Sequence, residues 1–465
     1  METGGLMDVQ GAQIAAIVIF IGMFGLIISE KVERHIVTLS AALLTLLVVF
    51  SLLMQDMGAV MKALNVQSIV QTPFWFAAES GGETSTGINW ETIFFIAGMM
   101  VMVEGMADSG FFRWLCMALA RMVRYKPIPL FLTFMVIAAL LSMFIDSITV
   151  LLFLAAVTAE LAQLLCFDPI PMILAEIFCA NLGGSATMCG DPPNIIIGTT
   201  LGFSFSDFLA NTGVIALICL AVTVLYFYFC FRRGLAESEK KRPADIAYPD
   251  AASAVTNRRA FYGCGIVFLL VVALLVTHAQ TGLTVSAIGC CAAALTILTV
   301  WLTAGGKTAF HLFKGIDYKT LLFFIGLFVA VSGLQRTGCL DMLADGINRL
   351  SGGSGKIMLA IILWISAVAS AFIDNIPFAA TMVPVIHSMA AAQGMDLNAL
   401  AWALSLGTDL GGSATPIGAS ANVVGLSVAS KNGYKVTWGR YCRYCAPATM
   451  LAVLISMLCL FVRYL

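Results

Sequence analysis

Two acidic residues in matching surroundings are the first candidates for chemistry. Asp146 lies in "FIDSI" and Asp374 in "FIDNI", each between two apolar segments. The pentapeptide "GGSAT" also occurs twice, at 183–187 and at 411–415, with further acids and amides beside each copy. Carboxylate, hydroxyl, amide and main-chain carbonyl oxygens are the ligands that hard cations prefer. These residue types therefore indicate a site for such a cation or for a neutral hydroxylated solute.

The candidate ion- and substrate-binding residues fall in four segments, two around the acids and two around the pentapeptides. They are Asp146, Ser147, Thr149, Asn181, Gly183, Gly184, Ser185, Thr187, Asp191, Asn194, Asp374, Asn375, Asp409, Gly411, Gly412, Ser413, Thr415 and Asn422. Glu176 is either a proton carrier or a residue that is hydrogen-bonded between helices. We expect no catalytic residue, no protein-bound metal and no cofactor, with Na⁺ or H⁺ as the coupling ion.

The composition places these residues in a membrane. Of the 465 residues, 60% are hydrophobic and 11% are charged, whereas a soluble protein keeps roughly a quarter of its residues charged. Apolar runs such as 14–29, 214–231 and 446–462 approach the roughly 20 residues that a membrane-crossing helix needs. We therefore expect an all-α polytopic protein in a lipid bilayer. The net charge of −1 argues against a nucleic-acid partner.

The two halves of the chain repeat each other. A shift of 228 positions lays "TIFFIAGMMVMVEGMADSG" at 92–110 over "TLLFFIGLFVAVSGLQRTG" at 320–338. The same shift superposes the two acids, the two pentapeptides, and Asn194 on Asn422, without a gap from 92 to 194. One constant offset over this length indicates an internal repeat, so the chemistry is built twice.

Two unusual elements must position the polar residues of each repeat. In lipid, an unpaired backbone N–H or C=O costs several kcal/mol, so helix breaks occur only where protein or a wet cavity satisfies these groups. "NLGGSATMCGDPPN" and "DLGGSATPIGASAN" contain glycines and prolines that disfavour a regular helix. Each is expected to interrupt a transmembrane helix, while each acid lies at the tip of a helical hairpin. We expect the two tips and the two breaks to meet around one cavity.

The predicted domain organisation follows from these elements. Basic residues concentrate on one side if each half has about five spans and one re-entrant hairpin, and this odd number inverts the second half. Inverted repeats of this kind are typical of secondary transporters. The predicted boundaries are a first repeat at 1–231 (scaffold helices about 13–107, hairpin 127–166, broken helix 171–203), a cytoplasmic linker at 232–259, and a second repeat at 260–465 (hairpin 356–391, broken helix 399–429).

The segments around the candidate site contain almost no basic side chains. None occurs from Pro127 to Phe231, and from 357 to 430 there is only His387. A multiply charged anion would find helix ends alone, whereas cations or a neutral hydroxylated solute would find carboxylates and carbonyls. We therefore expect Na⁺ or H⁺ to be either the coupling ion or the cargo.

Other interpretations apply to the same motifs. The glycines could serve close packing between helices, and Asp146 and Asp374 could cap the second helix of each hairpin. A matched pair of membrane aspartates could also belong to an intramembrane aspartyl enzyme. A continuous channel is a further alternative, although inverted halves favour alternating access.

Several segments resemble the ArsB/NhaD group of the ion transporter superfamily, in the branch related to the pink-eyed-dilution P protein. They are "GGSATMCGDPPNIIIGTTLGFSFSDF", "GGSATPIGASANVVGLSVASKNG", "ISEKVERHIVTLSAALLTLLV" and "FIDNIPFAATMVPVI". The resemblance implies scaffold and transport domains, an elevator-type movement and often a homodimer. It also implies that the hairpin tips and helix breaks carry ions and substrate. Met188–Cys189 departs from the pattern of the group, and the segment 55–89 is longer and more polar than the resemblance implies.

The sequence thus predicts a secondary active ion transporter of the plasma membrane rather than an enzyme. The first expected cargo is an arsenite- or antimonite-type metalloid or another small inorganic ion, coupled to H⁺ or Na⁺. Na⁺/H⁺ antiport is the alternative, and dicarboxylate transport ranks third.

Overall fold

The computed structural model describes residues 2–29, 31–76, 87–240, 250–393 and 395–465. Throughout these ranges the regular structure is helical and no strand forms. The only β-type contact among the described residues is an isolated bridge between Phe76 and Leu283. The expected all-α fold is confirmed.

The described residues of the first half form eleven α-helices, with π-helical turns extending α2 over Thr45–Leu53 and joining α10 to α11 over Leu209–Gly213. The helices are α1 (Glu2–Ser29), α2 (Arg34–Leu44), α3 (Met57–Leu64), α4 (Trp90–Asp108), α5 (Phe111–Met122), α6 (Pro127–Ser142), α7 (Ser147–Leu165), α8 (Ile170–Gly184), α9 (Pro192–Leu201), α10 (Phe205–Phe208) and α11 (Val214–Lys240).

In the second half, the part of the chain that the structure describes forms ten α-helices in a similar order. They are α12 (Arg258–Thr281), α13 (Val285–Ala304), α14 (Gly306–His311), α15 (Tyr318–Arg336), α16 (Cys339–Ser351), α17 (Gly355–Ser370), α18 (Asn375–Gln393), α19 (Leu397–Gly411), α20 (Ser420–Lys431) and α21 (Trp438–Tyr464). The helices α4–α9 therefore correspond one by one to α15–α20.

Nine helical segments of the described chain are long and apolar enough to cross a membrane. One of them, α7, is the second leg of a hairpin with α6. The other eight divide equally between the halves: α1, α2 with its π-helical extension, α4 and α10–α11, then α12, α13, α15 and α21. With the interrupted helices α8–α9 and α19–α20, each half has the five spans that the sequence predicts.

Equivalent helix pairs intertwine the two halves, because α13 packs on α4 and α2 packs on α15. A Cβ on Gly98 of α4 would overlap the carbonyl oxygen of Gly289 in α13. A Cβ on Gly326 of α15 would overlap the backbone of Thr38 in α2 in the same way. Gly289 lies 251 positions after Thr38, so this part of the repeat has a different offset from the one found in the sequence. The longer connection between α2 and α4 in the first half accounts for the difference.

The hairpins pack closely on the interrupted helices. A Cβ on Gly183 of α8 would overlap the carbonyl oxygen of Ala139 in α6, and a Cβ on Gly411 of α19 would overlap that of Ala367 in α17. Both glycines thus permit a backbone-to-backbone approach that any larger residue would prevent. The packing interpretation is correct for these two glycines.

The segment between the halves begins inside a helix. The predicted linker starts at position 232, a boundary that stays a prediction, and α11 continues to Lys240. The residues "RRGLAESEK" explain this, because Arg, Leu, Ala, Glu and Lys are good helix formers outside the membrane as well. Positions 241–249 of the linker lie outside the described residues. After them, the Thr256 hydroxyl donates to the Asp108 carbonyl at 3.0 Å, which ties the linker to the end of α4.

Candidate functional site

Both pentapeptides lie at interruptions of a helix, as the sequence predicts. In the first repeat, α8 ends at Gly184 and α9 begins at Pro192. In the second, α19 ends at Gly411, a single 3₁₀ turn follows, and α20 begins at Ser420. The interruptions are buried inside the protein, where other protein groups can satisfy the released backbone.

One asparagine closes each interruption. The Asn194 Nδ2 donates to the carbonyl oxygens of Gly184 at 3.1 Å and Thr187 at 3.2 Å. In the second repeat the Asn422 Nδ2 donates to the carbonyls of Gly412 at 2.7 Å and Thr415 at 2.8 Å. These carbonyls are therefore held by an amide from the following helix.

The two interruptions are joined to each other by a reciprocal pair of hydrogen bonds. Asn181 of the first repeat donates from its Nδ2 to the Asn422 Oδ1 of the second at 2.8 Å. Asn194 of the first repeat donates to the Oδ2 of Asp409 in the second, also at 2.8 Å. Asn181 and Asp409 occupy equivalent positions of the two repeats. Each is hydrogen-bonded to the asparagine that closes the interruption of the other repeat, Asn181 through its amide and Asp409 through its carboxylate. All four side chains are almost fully buried.

The remaining polar groups of the pentapeptides anchor neighbouring backbone. The Thr187 hydroxyl donates to the Met143 carbonyl at the first hairpin tip, and the Thr415 hydroxyl donates to the Ala371 carbonyl at the second. Ser185 donates within its own helix to Leu182 at 2.7 Å. Ser413 accepts from Asn181 at 3.1 Å. These contacts give the side chains a structural role, and their predicted part in ion binding stays a prediction.

The acid at each hairpin tip also caps the following helix. The Asp146 Oδ2 accepts from the backbone N–H of Thr149 at 3.2 Å and from its hydroxyl at 3.3 Å. The Asp374 Oδ1 accepts from the N–H of Ile376 at 3.4 Å. Capping and ion binding are compatible at Asp146, because its Oδ1 has no donor among the described residues.

Asp191 connects the two hairpin tips. Its Oδ1 accepts from the Ser147 hydroxyl at 3.3 Å, and its Oδ2 accepts from the Asn375 Nδ2 at 2.8 Å. Ser147 and Asn375 are equivalent residues of the two repeats, each directly after its tip acid. The expected meeting of both tips with the helix breaks is therefore present, and Asp191 lies at its centre.

Four of the candidate residues have a buried side-chain oxygen without a hydrogen-bond partner among the described residues. These oxygens are the Oδ1 atoms of Asp146, Asn181 and Asp409, and the Oε2 of Glu176. Glu176 is fully buried in α8, and its Oε1 accepts from the Thr158 hydroxyl at 2.5 Å. Buried acceptors without a donor are costly, so a proton or a cation bound at any of these oxygens would offset that cost.

A basic residue that sequence reasoning missed reaches the second hairpin tip. The Arg34 Nη1 donates to the Asp374 Oδ2 at 2.5 Å and to the Ser420 hydroxyl at 3.2 Å. The expectation of a site without basic side chains is therefore wrong. Arg34 begins α2, 340 positions before Asp374 and outside the hairpins and helix interruptions, so its position in the sequence does not indicate this contact.

Comparison with known protein families gives a match over most of the chain. The model of a family described as "Citrate transporter" matches residues 24–407. Two uncharacterised transporters of Mycobacterium tuberculosis are similar over 97% of this chain, one with 31% identity and 98% of its own length covered, the other with 30% and 99%. The P protein of Mus musculus is 25% identical over 98% of this chain, which spans 61% of that protein. These matches agree with the predicted relation to the P protein, while the narrower assignment to the ArsB/NhaD group stays a prediction.

Two solved structures share the fold at low sequence identity. The YdaH transporter of Alcanivorax borkumensis has a TM-score of 0.56 at 18% identity, with 80% of this chain and 84% of that chain covered. MtrF of Neisseria gonorrhoeae, described as one of a class of antimetabolite efflux pumps, has a TM-score of 0.57 at 12% identity, with 92% and 95% covered. The chain therefore has the architecture of known membrane transporters.

Proposed function

This chain belongs to the citrate transporter family and is a secondary transporter, and from that premise we propose that Na⁺ or H⁺ bound among its hairpin tips and helix breaks drives the movement of a small anion. As a multi-pass membrane protein of this family it is a transporter rather than an intramembrane aspartyl enzyme. We place it in the plasma membrane, where an ion gradient can supply the energy.

The observation that supports cation coupling is the set of unpartnered oxygens. Asp409 is 1% exposed, and its Oδ1 has no donor among the described residues. Asn181, at the equivalent position, also presents an Oδ1 without a donor. A hard cation takes such carbonyl and carboxylate oxygens as ligands, and a proton on a carboxylate would provide the missing donor. Either would offset the cost of burying acidic groups.

Arg34 and the family support an anionic cargo. The arsenite- or antimonite-type cargo depended on a site without basic side chains, and the contact between Arg34 and Asp374 removes that support. A guanidinium at the tip instead suits a carboxylate or another oxyanion, which agrees with the description of the family. Na⁺/H⁺ antiport is the second candidate, because the acids Asp146, Asp191, Asp374 and Asp409 outnumber this basic group.

Flux in proteoliposomes tests the proposal. We expect uptake of radiolabelled citrate to require an inward Na⁺ or proton gradient and to stop when ionophores dissipate that gradient. Asp409→Asn reproduces the residue of the first repeat and keeps an acceptor for Asn194, so it should fold and lose the cation dependence. Asn398→Asp, an exposed change on the same helix, is the control and should behave as the parent.

Other cargoes decide between the alternatives in the same assay. Arsenite, chloride and ²²Na⁺ are measured in parallel with citrate. Proton-driven ²²Na⁺ flux without anion uptake would favour the antiporter. Citrate flux that ignores both gradients, or an Asp409→Asn variant with unchanged cation dependence, would contradict the proposal.

A further inference from the structure

We propose that Arg34 is a cargo-binding residue and that Asp374 occupies its guanidinium group in the absence of cargo. In this arrangement the Asp374 carboxylate takes the place of a carboxylate of the cargo, and the two compete for the same donors. The inference rests on the proposed function and narrows it, because it assigns the cargo to the carboxylates and related oxyanions.

The contacts around Asp374 provide a ready binding position for an oxyanion. Its Oδ2 receives the Arg34 Nη1 at 2.5 Å and the Ser420 hydroxyl at 2.7 Å. Arg34 lies on α2 and Ser420 on α20. Both donor groups belong to side chains, so rotation about side-chain bonds can turn each of them to another oxygen. The Arg34 side chain is 33% exposed, whereas that of Asp374 is 4% exposed. The Arg34 side chain is therefore partly accessible from outside the protein, unlike that of Asp374.

The first repeat has no equivalent of this arrangement. Val285 occupies the position that corresponds to Arg34, 251 residues later, and Pro192 corresponds to Ser420 by the offset of 228. Asp146, the counterpart of Asp374, retains a buried oxygen without a partner. If the fold required a paired acid at each hairpin tip, both repeats would need one. The basic residue thus distinguishes one tip from the other.

A partly buried ion pair such as Arg34–Asp374 is weak evidence for a stabilising role. Removing two charges from water costs about as much as their attraction returns, so many buried pairs do not increase stability. Arginine does offer a planar fork that matches a carboxylate and binds it more specifically than a point charge would. The N-terminus of α20 begins at Ser420, and its backbone N–H groups favour an anion at the same place.

The proposal makes opposite predictions for the two partners. In citrate uptake by proteoliposomes, Arg34→Gln should raise the KM at least tenfold, and Arg34→Lys should recover only part of the loss. Asp374→Asn removes the competitor, so purified protein should bind citrate as tightly as the parent or more tightly, measured as the shift in melting temperature on adding citrate. Arg440→Gln is the matched control, because Arg440 forms a 2.7 Å ion pair with Asp168 at an exposed site. That variant should keep the parental KM.

Each outcome supports or overturns the inference. If Arg34→Gln retains the KM within twofold while the parent transports citrate, Arg34 does not bind cargo. If Arg34→Gln and Asp374→Asn weaken citrate binding equally, the pair is structural and the inference is wrong. A parent that transports arsenite or Na⁺ and no oxyanion also overturns it. The proposed function is tested separately, by the gradient dependence of anion flux in the parent and by the Asp409→Asn variant, so it can hold even where the role of Arg34 is disproved.

Discussion

Two asparagines hold the interrupted helices together at the level of single residues. Asn194 donates to two carbonyls of its own interruption and to Asp409, and its Oδ1 accepts from the Ser405 hydroxyl at 2.6 Å. The Asn194 side chain thus satisfies backbone carbonyls at the helix interruption and also joins the first repeat to the second. A broken helix in lipid is stable only when its freed backbone groups find such partners.

Replacing this residue by an isostere without polar atoms tests its role. Asn194→Leu would leave two backbone carbonyls, one carboxylate oxygen and one hydroxyl without partners in the interior. Each buried unsatisfied group costs about 1–3 kcal/mol, so we expect a melting temperature lowered by many degrees or no folded protein. Asn398→Leu, at an exposed position, should change it little. An Asn194→Leu variant as stable as the parent would show that the interruption does not depend on this amide.

The sequence predicts much of the site at this scale. Glycines and prolines in an apolar segment indicate the helix interruptions. The constant offset of 228 shows that Asn194 and Asn422 are equivalent. The cross-bonds from Asn181 and Asn194 could not be predicted, since they depend on how two repeats approach each other. Arg34 could not be predicted for the same reason, because no spacing along the chain indicates which helix end meets a hairpin tip.

At the level of elements, close packing fixes the position of each hairpin against its interrupted helix. Gly183 allows α8 to reach the backbone of α6, and Gly411 allows α19 to reach α17. The sequence predicts ion binding for these glycines, and the structure gives them a packing contact. The long apolar runs predict that the helices exist, but which glycine faces a neighbour follows only from the tertiary arrangement.

Alanine substitution distinguishes a glycine that is needed for close helix packing from a glycine that has free space around it. Gly183→Ala puts a methyl group against the Ala139 carbonyl, so α8 must move away and the protein should lose folded yield. Gly265→Ala in α12 meets nothing within 4 Å and should be neutral or stabilise by up to about 1 kcal/mol, since alanine favours helix. Thermal denaturation of both purified variants checks this. Equal stability would contradict the close approach of α8 to α6.

At the level of the whole molecule, two different offsets relate the helices of the first half to those of the second. The longer connection between α2 and α4 accounts for the change from one offset to the other. The helices α4–α9 correspond to α15–α20 at 228, while α2 corresponds to α13 at 251. Gly105 of α4 faces Thr296 of α13, and the equivalent Gly333 of α15 faces Thr45 of α2. Thr45 and Thr296 are also related by the offset of 251, so this offset holds along the length of both helix pairs. An ungapped comparison at 228 does not reach α2 and α13, because the longer connection between α2 and α4 changes the offset between the halves. The symmetric halves are the feature from which alternating access would follow.

If an elevator-type movement occurs, the interrupted helices slide past the helices that the sequence assigns to the scaffold. Thr92 of α4 and Thr199 of α9 mark one such boundary, because their hydroxyl oxygens are 3.0 Å apart. Thr45 and Gly333 mark a boundary within the scaffold, and a Cβ on Gly333 would lie 3.8 Å from the Thr45 Cβ. That distance is typical of a disulfide.

Cross-linking these two boundaries therefore separates movement from packing. Oxidising Thr92→Cys/Thr199→Cys should abolish gradient-driven uptake, and a reductant should restore it, because the bond fixes α9 to α4. Oxidising Thr45→Cys/Gly333→Cys should leave uptake unchanged, because α2 and α15 would move together. The parent under the same oxidant controls for the 13 native cysteines, all of them free thiols. Full uptake by the cross-linked Thr92→Cys/Thr199→Cys protein would mean that α9 and α4 do not move apart, and transport would then require opening at the hairpin tips alone.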